Sequence, residues 1–487
     1  MRTEEILRAD RIMACLKHFA LYGAIESGKE YNTVDMSRIR MMNQYLPPYE
    51  AVVKAGVGSV MSSFNLIGYT PATANHWMMT DVLRKQWGFK GFVVTDYASI
   101  AEILNHGTAK DLKEASEQAL LAGTDMDMCS NAFVKHLAQS VADGKVTEED
   151  INTACRRILE AKYKLGLFSN PYRYCNAKRN KTDIYSAENR QIARDVAAET
   201  FVLLKNEGNL LPLKKQGKIA QIGPLADTRN NIAGTWSVAQ APEKYTTIKE
   251  AMEKALDGKA TLLYAQGSNI WRDRELQNNG EQGKSIAWGD EAKMKNEALQ
   301  IAKEADVIVC AMGETADMSG ECPLYYNHQN TGRPVPDDNQ KFAKFASNCL
   351  DVSNGPLYPF GYGLSYTTFE YGDLKLSSHE VNMDDWKITA TINVKNTGSR
   401  DADEIVQLYI RDMVASISRP VKELKGFQRI HLAAGESREI SFDITPEMLK
   451  FYNAELRYVI EPGDFQIMVG GNSKEVKTQN LTVKKHP

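Results

Sequence analysis

The sequence predicts a multidomain α/β protein built from three successive parts. Short apolar runs alternate with helical patterns over the first third of the 487 residues, as in parallel βαβ units. A second series of alternating strands and helices begins near Ser186. From about Tyr371 the apolar pattern changes to period two, which is typical of an antiparallel β-sandwich. We therefore expect two α/β parts followed by one all-β domain.

The first part carries too few strands to close an eight-stranded barrel, so we expect a partial one. Apolar runs predict strands over 57–64, around Phe92 and over 124–128. Helices are predicted over 74–87, over 111–121, from Phe133 onward and over 147–165. The last of these helices begins with Thr147 and Asp150, whose spacing is that of a capping box.

The second part follows a polar stretch near Pro171 that has no hydrophobic period and is predicted to be a linker. Ser186 can cap a helix that runs to Leu204. The pattern then predicts three strands and two helices, with the strands at 218–222, 260–264 and 306–312 and the helices at 247–256 and 290–304. No GxGxxG or Walker sequence is present, which argues against nucleotide binding.

The third part alternates apolar and polar residues in several short segments. Ile388, Ile392 and Val394 alternate with polar residues, and a turn at Asn396-Thr397-Gly398 follows. Similar alternation recurs near Leu408, near Phe442 and near Ile467. We expect a small antiparallel sandwich with a structural or adhesive role.

The composition excludes several classes of protein. A formal net charge of −3 gives no attraction to nucleic acid or to an anionic membrane. No apolar run is long enough for a membrane span, and the first ten residues, MRTEEILRAD, have no signal-peptide core. The seven cysteines are scattered without a CxxC pair, which argues against a zinc site or disulfide framework. We expect them to be mostly buried core thiols.

Asp96 is the first candidate for chemistry. It follows the apolar run of Phe92, Val93 and Val94, where a buried strand should emerge. Catalytic side chains gather at the C-terminal ends of the strands in parallel barrels. The alternative is that Asp96 only caps the next helix or ends the strand.

A series of segments in one order identifies a resemblance that covers nearly the whole chain. In the first part they are Lys17-His18-Phe19, GKEYNTVD (28–35), MSSFN (61–65) and GFVVTDYASI (91–100). Later ones are LLKNEGNLLPL (203–213), IGPLAD (222–227), PLYPFGYGLSYTTF (356–369) and SRPVKELKGF (418–427). Together they resemble glycoside hydrolase family 3, most closely its bacterial periplasmic β-glucosidase group.

The resemblance implies a fold for each part of the chain. Residues 1–172 would be the C-terminal part of a (β/α)8 TIM barrel, followed by a linker over 173–189. Residues 190–369 would form an α/β sandwich domain, and residues 370–487 a fibronectin type III-like domain. The implied activity is that of a retaining, exo-acting β-glucosidase that removes terminal non-reducing β-D-glucosyl residues. Asp96 then matches the nucleophile that forms a covalent glycosyl-aspartate, and its alternative reading as a structural residue becomes much weaker.

The resemblance also implies which residues hold the sugar. Lys17 and His18 match the pair that binds sugar hydroxyls, although a bare Lys-His dipeptide is more often a solvated surface pair. Met61 and Phe64 match residues lining the sugar subsite, where ordinary core packing is the alternative. Tyr97 would stack against the sugar. The loop KHFALYG (17–23) lacks the proline, glycine and second histidine of the family's N-acetylglucosaminidases, which speaks against that branch.

A retaining mechanism needs a second carboxyl group about 5–5.5 Å from the nucleophile. In the family this acid/base lies in a loop of the second domain, and Glu321 falls on the matching position. Glu314 is a nearby competitor. Glu102, six residues after Asp96, is a third candidate because it could reach the same cleft.

The chain departs from the family pattern at two places. Family members carry further barrel strands before the Lys-His pair, with an aspartate and an arginine that hold outer sugar hydroxyls. The stretch after Glu321 looks like the site of an internal deletion beginning at Cys322. Because an incomplete barrel holds its carboxyl groups less rigidly, we expect weak or no activity. The alternatives are a β-xylosidase or related family 3 glycosidase, and a non-catalytic carbohydrate-binding remnant.

The expected substrate is a small oligosaccharide or an aryl or alkyl β-glycoside. The resemblance implies no metal and no cofactor, and no metal-ligand spacing is present. We expect neither nucleic acid nor membrane as a partner. The resemblance implies a periplasmic or secreted protein.

Overall fold

A computed structural model describes residues 12–26, 31–234, 237, 241–279, 285–318 and 356–485 of the chain. The chain divides into two compact units. The first unit comprises Met1–Lys205 and Cys322–Pro487, and the second comprises Asn206–Glu321.

The first α/β part lies within the first unit and contains six short strands. They are β1 Cys15–Phe19, β2 Thr33–Val34, β3 Ser59–Ser62, β4 Leu66–Ile67, β5 Thr70–Pro71 and β6 Phe92–Val94. Strands β1, β3 and β6 form a parallel sheet with β3 in the middle. Strands β2, β4 and β5 form a separate small sheet. The parallel sheet is the part of a barrel that the sequence predicts.

A close backbone approach fixes β6 beside β3. Met61 lies opposite Val94 in the register of the two strands. A Cβ atom added to Gly91, just before β6, would lie 2.1 Å from the carbonyl oxygen of Gly58. Only glycine fits at this approach, so Gly91 sets where the strand that leads to Asp96 enters the sheet.

The predicted strand over 124–128 is wrong as a strand. Met126 forms a single parallel bridge with Val94, and its N–H donates to the carbonyl oxygen of Val93 at 3.0 Å. The N–H of Met128 donates to the side-chain oxygen of Thr95 at 2.8 Å instead of continuing a ladder. Cys129 then turns the chain with a φ of 70°. A side chain thus replaces the backbone partner that a longer strand would need.

Helices follow the strands as the periodicity predicts. The main ones are Pro47–Lys54, Trp77–Gln86, Ser99–Asn105, Leu112–Ala122, Ala132–Ala142 and Glu148–Lys164. Thr147 and Asp150 form the predicted capping box at the start of the last helix. Trp77–Gln86 winds as a π-helix, in which the N–H of Trp87 donates to the carbonyl oxygen of Val82 at 3.0 Å.

The segment between the two α/β parts is exposed. Within the predicted linker, Arg179–Thr182 forms one short helix. Ser186 caps the next helix as predicted, with its side chain accepting from the N–H of Asn189. That helix, Ala187–Glu199, ends five residues before the predicted Leu204. The prediction ran too far because residues 201–204 are apolar without forming a further helical turn.

The second unit contains a three-stranded parallel sheet in the order β8–β7–β9. Its strands are β7 Lys218–Ile222, β8 Thr261–Ala265 and β9 Val307–Cys310. Its helices are Ile248–Leu256, Arg274–Asn279 and Glu291–Glu304. Thr247 and Asp290 cap two of these helices, as their positions in the sequence predict.

The C-terminal part is an antiparallel sandwich within the first unit. Its strands are β10 Phe369–Tyr371, β11 Lys375–Leu376, β12 Glu380–Asn382, β13 Ile388–Asn396, β14 Ala402–Asp412, β15 Glu423–Leu432, β16 Ser437–Ile444, β17 Phe451–Tyr452, β18 Tyr458–Val459, β19 Gly463–Gly470 and β20 Val476–Lys484. One sheet joins β10, β13, β11 and β16, and the other runs β12–β20–β19–β14–β15. The inward residues of both sheets form one core, including Ile392, Leu408 and Ile467.

The small β17–β18 hairpin of the sandwich packs on helices of the first α/β part. Tyr452 is buried in the same core cluster as Met41, Met78 and Trp87. The Asn43 amide pairs with the backbone of Tyr452, donating to its carbonyl oxygen at 2.9 Å and accepting its N–H at 2.7 Å. Gln86 donates to the Tyr452 hydroxyl at 3.1 Å. The two parts therefore share core residues at this contact.

The cysteine prediction is wrong for the described residues. Cys15, Cys129, Cys155, Cys175 and Cys310 are all exposed and carry no disulfide. They lie in a strand, in turns and on helix surfaces, positions that apolar composition alone does not distinguish from the core.

Candidate active site

The parallel sheet brings the predicted site residues of the first part to one edge. Lys17 and His18 lie near the C-terminal end of β1, and Met61 lies near that of β3. Asp96 follows β6 by two residues. Because neighbouring parallel strands end on the same side, these residues approach one another.

Asp96 and His18 make the central contact of the site. The Nε2 atom of His18 lies 3.3 Å from Oδ2 of Asp96. The other carboxyl oxygen, Oδ1, accepts the N–H of Tyr97 at 2.6 Å. The side chains of His18 and Asp96 are only 9% and 15% exposed. Contacts to both oxygens fix the plane of the Asp96 carboxyl group, while one part of it still reaches the surface.

His18 is itself held from two directions. The Tyr49 hydroxyl donates to the backbone oxygen of His18 at 2.8 Å. The Tyr22 ring meets the His18 ring edge-on, with the ring centroids 5.8 Å apart. Nothing in the sequence pattern singles out Tyr49, which lies in an ordinary amphipathic helix. The arrangement sets the direction in which the imidazole faces Asp96.

The other predicted sugar-binding residues occupy more open positions. Tyr97 is 65% exposed beside Asp96, and Lys17 is also exposed. Phe64 is half-buried, with its ring centroid 4.9 Å from that of Tyr31 and 5.9 Å from that of Tyr22. These aromatic rings form a wall next to the His18 ring.

Glu102 lies in the helix that follows Asp96 and feels its charge. Burial of the Glu102 carboxyl group, and then the negative charge of Asp96, raise the pKa of Glu102 above its usual value. Among the described residues, no hydrogen bond or ion pair is formed by the Glu102 side chain. Glu102 is therefore a second carboxyl group within electrostatic reach of Asp96.

The remaining acid/base candidates belong to the second unit. Glu321 lies outside the described residues. Glu314 is exposed and follows β9 in a loop, as the sequence predicts for the loop that carries the acid/base.

Asp125 is a structural residue of the site that sequence reasoning missed. Its buried carboxylate accepts the N–H of Val93 in β6 at 2.8 Å. Arg84 and Arg157 each contact the same carboxylate, at 2.5 Å and 2.7 Å. A buried aspartate needs such partners. The TD pair at 124–125 resembles the TD pair at 95–96, which is the one signal that could have pointed to it.

Searches for two further kinds of feature were negative over the described ranges. No three His, Cys, Asp or Glu side chains in them cluster closely enough to bind a metal ion. None of their helices combines the length and the apolar character that a membrane crossing requires.

Comparison with protein families gives matches along most of the chain. The glycosyl hydrolase family 3 N-terminal domain matches residues 2–161, and the C-terminal domain of the same family matches residues 201–329. A fibronectin type III-like domain matches residues 404–473. A periplasmic β-glucosidase of Salmonella typhimurium is 38% identical, over 96% of this chain and 73% of the relative. The chain belongs to glycoside hydrolase family 3. It is a glycoside hydrolase with the multidomain architecture of that family.

Other family 3 members are similar over the same extent. A β-xylosidase of Formosa agariphila is 31% identical, over 99% of this chain and 77% of the relative. A mutant β-glucosidase of Listeria innocua, solved in complex with laminaribiose, superposes with a TM-score of 0.84 at 32% identity. That match covers 99% of this chain and 75% of the Listeria chain. The family of the chain is thus shared by glucosidases and xylosidases.

The alignments also show internal differences in length. The alignment with the Salmonella relative spans 564 positions, which is more than the 487 residues of this chain. The relative therefore carries internal segments that have no counterpart here. The position of such a segment after Glu321 stays a prediction.

Proposed function

We propose that this family 3 glycosidase is a retaining, exo-acting β-glucosidase that removes terminal β-D-glucosyl residues through a covalent bond to Asp96. The supporting observation is the placement of Asp96 at the strand ends, with His18 on one carboxyl oxygen and the N–H of Tyr97 on the other. An oriented carboxylate at such an edge is suited to attack on an anomeric carbon.

The first step forms a glycosyl-enzyme ester. A carboxylate oxygen of Asp96 bonds to the anomeric carbon as the bond from that carbon to the glycosidic oxygen breaks. Glu321 gives its proton to the departing oxygen, which leaves as an alcohol. In the second step Glu321 takes a proton from water, and the water oxygen displaces Asp96 from the anomeric carbon. Two inversions leave the released sugar with its original configuration.

The sugar-binding roles follow the same proposal. Lys17 and His18 would donate to sugar hydroxyl groups, while Met61 and Phe64 would line the ring. Tyr97, exposed beside Asp96, would stack on a sugar face. The site needs no metal ion or cofactor for this chemistry.

Covalent labelling tests the role of Asp96. A 2-fluoro glucoside with a good leaving group should add one glycosyl mass to the peptide that contains Asp96, because fluorine slows the second step more than it prevents the first. Asp96→Asn should abolish labelling, whereas the exposed Asp81→Asn serves as the matched control and should still be labelled. Absence of label in folded wild-type protein, or label on another peptide, would contradict the proposal and favour a non-catalytic remnant.

Azide rescue tests the acid/base. Glu321→Gln should slow hydrolysis of an activated aryl glucoside in its second step, and azide should restore turnover and give a glycosyl azide. Glu314→Gln and Glu102→Gln are the matched comparisons. If azide rescues one of these variants and leaves Glu321→Gln unchanged, the acid/base assignment moves to that residue.

A β-xylosidase is the second candidate, because β-xylosidases of Formosa agariphila are among the similar relatives. The two sugars differ by the group on C5, so kcat/KM for p-nitrophenyl β-glucoside and β-xyloside separates the candidates. We expect preference for the glucoside, and a preference for the xyloside would overturn the glucosidase proposal. The similar Salmonella protein is a periplasmic one, which supports a periplasmic or secreted location here.

A further inference from the structure

A cavity of about 340 Å³ opens beside the proposed nucleophile region of the first unit. It is lined by Tyr31, Glu102, Asn105 and His106. This volume lies in the range of about 300–1,000 Å³ that is usual for small-molecule sites. None of Lys17, His18, Met61 and Asp96 lines it, so it is separate from the space directly over Asp96.

Two polar side chains of the cavity are available to a ligand. Glu102 and Asn105 make no hydrogen bond or ion pair with any part of the chain that the structure describes. Asn105 is exposed and carries both donor and acceptor groups. Glu102 is half-buried and senses the charge of Asp96, which places the cavity close to the reacting centre.

The other two residues form a fixed wall. The Nε2 atom of His106 lies 3.1 Å from the carbonyl oxygen of Phe64. A carbonyl oxygen only accepts, so Nε2 carries the proton and Nδ1 is left as an acceptor in the neutral ring. The Tyr31 ring packs on the Phe64 ring at a centroid distance of 4.9 Å. Phe64 thus connects this wall to the residues proposed to line the first sugar.

We propose that this cavity is the subsite for the leaving-group sugar, with Glu102, Asn105 and His106 binding its hydroxyl groups and Tyr31 contacting its ring. This proposal rests on the proposed function, because an exo-acting enzyme cleaves the terminal residue and can extend its site only on the leaving-group side. Carboxyl, amide and imidazole groups beside an aromatic ring match the alternating hydroxyl groups and apolar faces of a sugar. The preferred substrate is then a disaccharide or a longer oligosaccharide instead of a simple alkyl glycoside.

The test compares a substrate that fills the cavity with one that does not. We would measure kcat/KM for laminaribiose and for 2,4-dinitrophenyl β-glucoside, and the Kd of glucose and laminaribiose for the Asp96→Asn protein. Glu102→Ala and Asn105→Ala are the test variants. The exposed Glu160→Gln, on a helix whose residues do not line the cavity, is the control. Circular dichroism and thermal unfolding establish that each variant is folded.

The expected result is a change in ratios. Each test variant should lower kcat/KM for laminaribiose relative to the aryl glucoside by about tenfold, the effect of one lost hydrogen bond to a charged or polar group. The tighter binding of laminaribiose over glucose should fall by a similar factor, and Glu160→Gln should leave both ratios unchanged. Ratios that stay within twofold for both test variants would overturn the subsite.

The proposed function fails separately from the subsite. Hydrolysis of neither substrate by wild-type protein, with no label on Asp96, would reject the proposed function. The binding comparison would still decide the subsite in that case, because it needs no turnover. Laminaribiose that binds no more tightly than glucose would overturn the subsite even in an enzyme that hydrolyses the aryl glucoside.

Discussion

At the scale of single residues, one buried carboxylate supports the strand that carries the proposed nucleophile. Asp125 is only 1% exposed and contacts Arg84, Arg157 and the N–H of Val93. Arg84 also donates to the backbone oxygens of Gly91 and Gly123. These contacts fix both ends of β6, so Asp125 acts on Asp96 through the backbone.

Removing Asp125 should be strongly destabilising. Asp125→Ala leaves Arg84 without its buried counter-ion and the N–H of Val93 without an acceptor. We expect a loss of about 3–5 kcal/mol in the free energy of unfolding, measured by urea denaturation. The control Asp81→Ala removes an exposed partner of Lys85 and should change stability little. Equal effects of the two variants would contradict the structural role of Asp125.

Glu102 should make stability depend on pH in a defined direction. Its pKa is raised in the folded protein by burial and by Asp96, so ionisation costs more in the folded than in the unfolded state. The wild type therefore loses stability as pH rises from about 4.3, the usual pKa of an unfolded glutamate, through the raised pKa.

Glu102→Gln removes this cost. The gain in the free energy of unfolding of the variant over the wild type should be near zero at the acid end and grow as pH increases from 4 to 8. Urea denaturation across this pH range measures it, with the exposed Glu160→Gln as a variant whose effect should stay flat. A gain that shrinks with rising pH would show that the Glu102 carboxylate is stabilised in the folded protein.

At the scale of elements, the β17–β18 hairpin joins the sandwich to the first α/β part. The Asn43 amide pairs with both backbone groups of Tyr452 in the way that a neighbouring strand would. The Tyr452 ring is 8% exposed and fills a space between the helices around Met41 and Met78. This contact buries a large aromatic ring and satisfies the backbone polar groups at the same time.

Truncation of the hairpin contact should destabilise the first unit. We expect Tyr452→Ala to cost about 3–5 kcal/mol, as for other large-to-small changes in a core. Asn43→Ala should cost about 1–3 kcal/mol, because it leaves the buried N–H of Tyr452 without a partner. Tyr163→Ala, which removes an exposed ring, is the aromatic control. Chemical denaturation of the full chain measures all three, and a Tyr452→Ala protein as stable as the control would refute the shared core.

At the scale of the whole molecule, the chain has the family's parts but lacks some of its internal length. Its alignment with the Salmonella relative contains positions that this chain does not fill. The parallel sheet described in the first part has three strands, whereas a closed barrel has eight. A retaining site works when its two carboxyl groups are held to within about 0.5 Å of the productive geometry.

We expect slow hydrolysis from this chain. Purified protein should turn over p-nitrophenyl β-glucoside well below the rate of the Salmonella β-glucosidase assayed in parallel, because fewer elements fix its catalytic groups. Circular dichroism before the assay separates a slow enzyme from an unfolded one. A rate equal to that of the relative would show that the segments missing here are not needed for catalysis.

Elements that depend on neighbours in the chain were predictable. Strand β7 has the predicted bounds, and Thr147, Ser186, Thr247 and Asp290 cap helices where their spacing predicts. A cap is formed by residues three positions apart, so the sequence contains both partners. The strand over 124–128 was predicted wrongly, because strand formation depends on a partner elsewhere in the fold.

The candidate site divides along the same line. The sequence by itself determined the three-part architecture, the family and Asp96 as the residue to test, since the motifs that carry them are local strings. Only the tertiary structure decided that His18 faces Asp96, that Asp125 anchors β6 through Arg84 and Arg157, and that Glu102 lines a cavity with Tyr31. The physical reason is distance along the chain: the side chains that meet Asp125 lie 41 and 32 residues away, and no local pattern specifies such a contact.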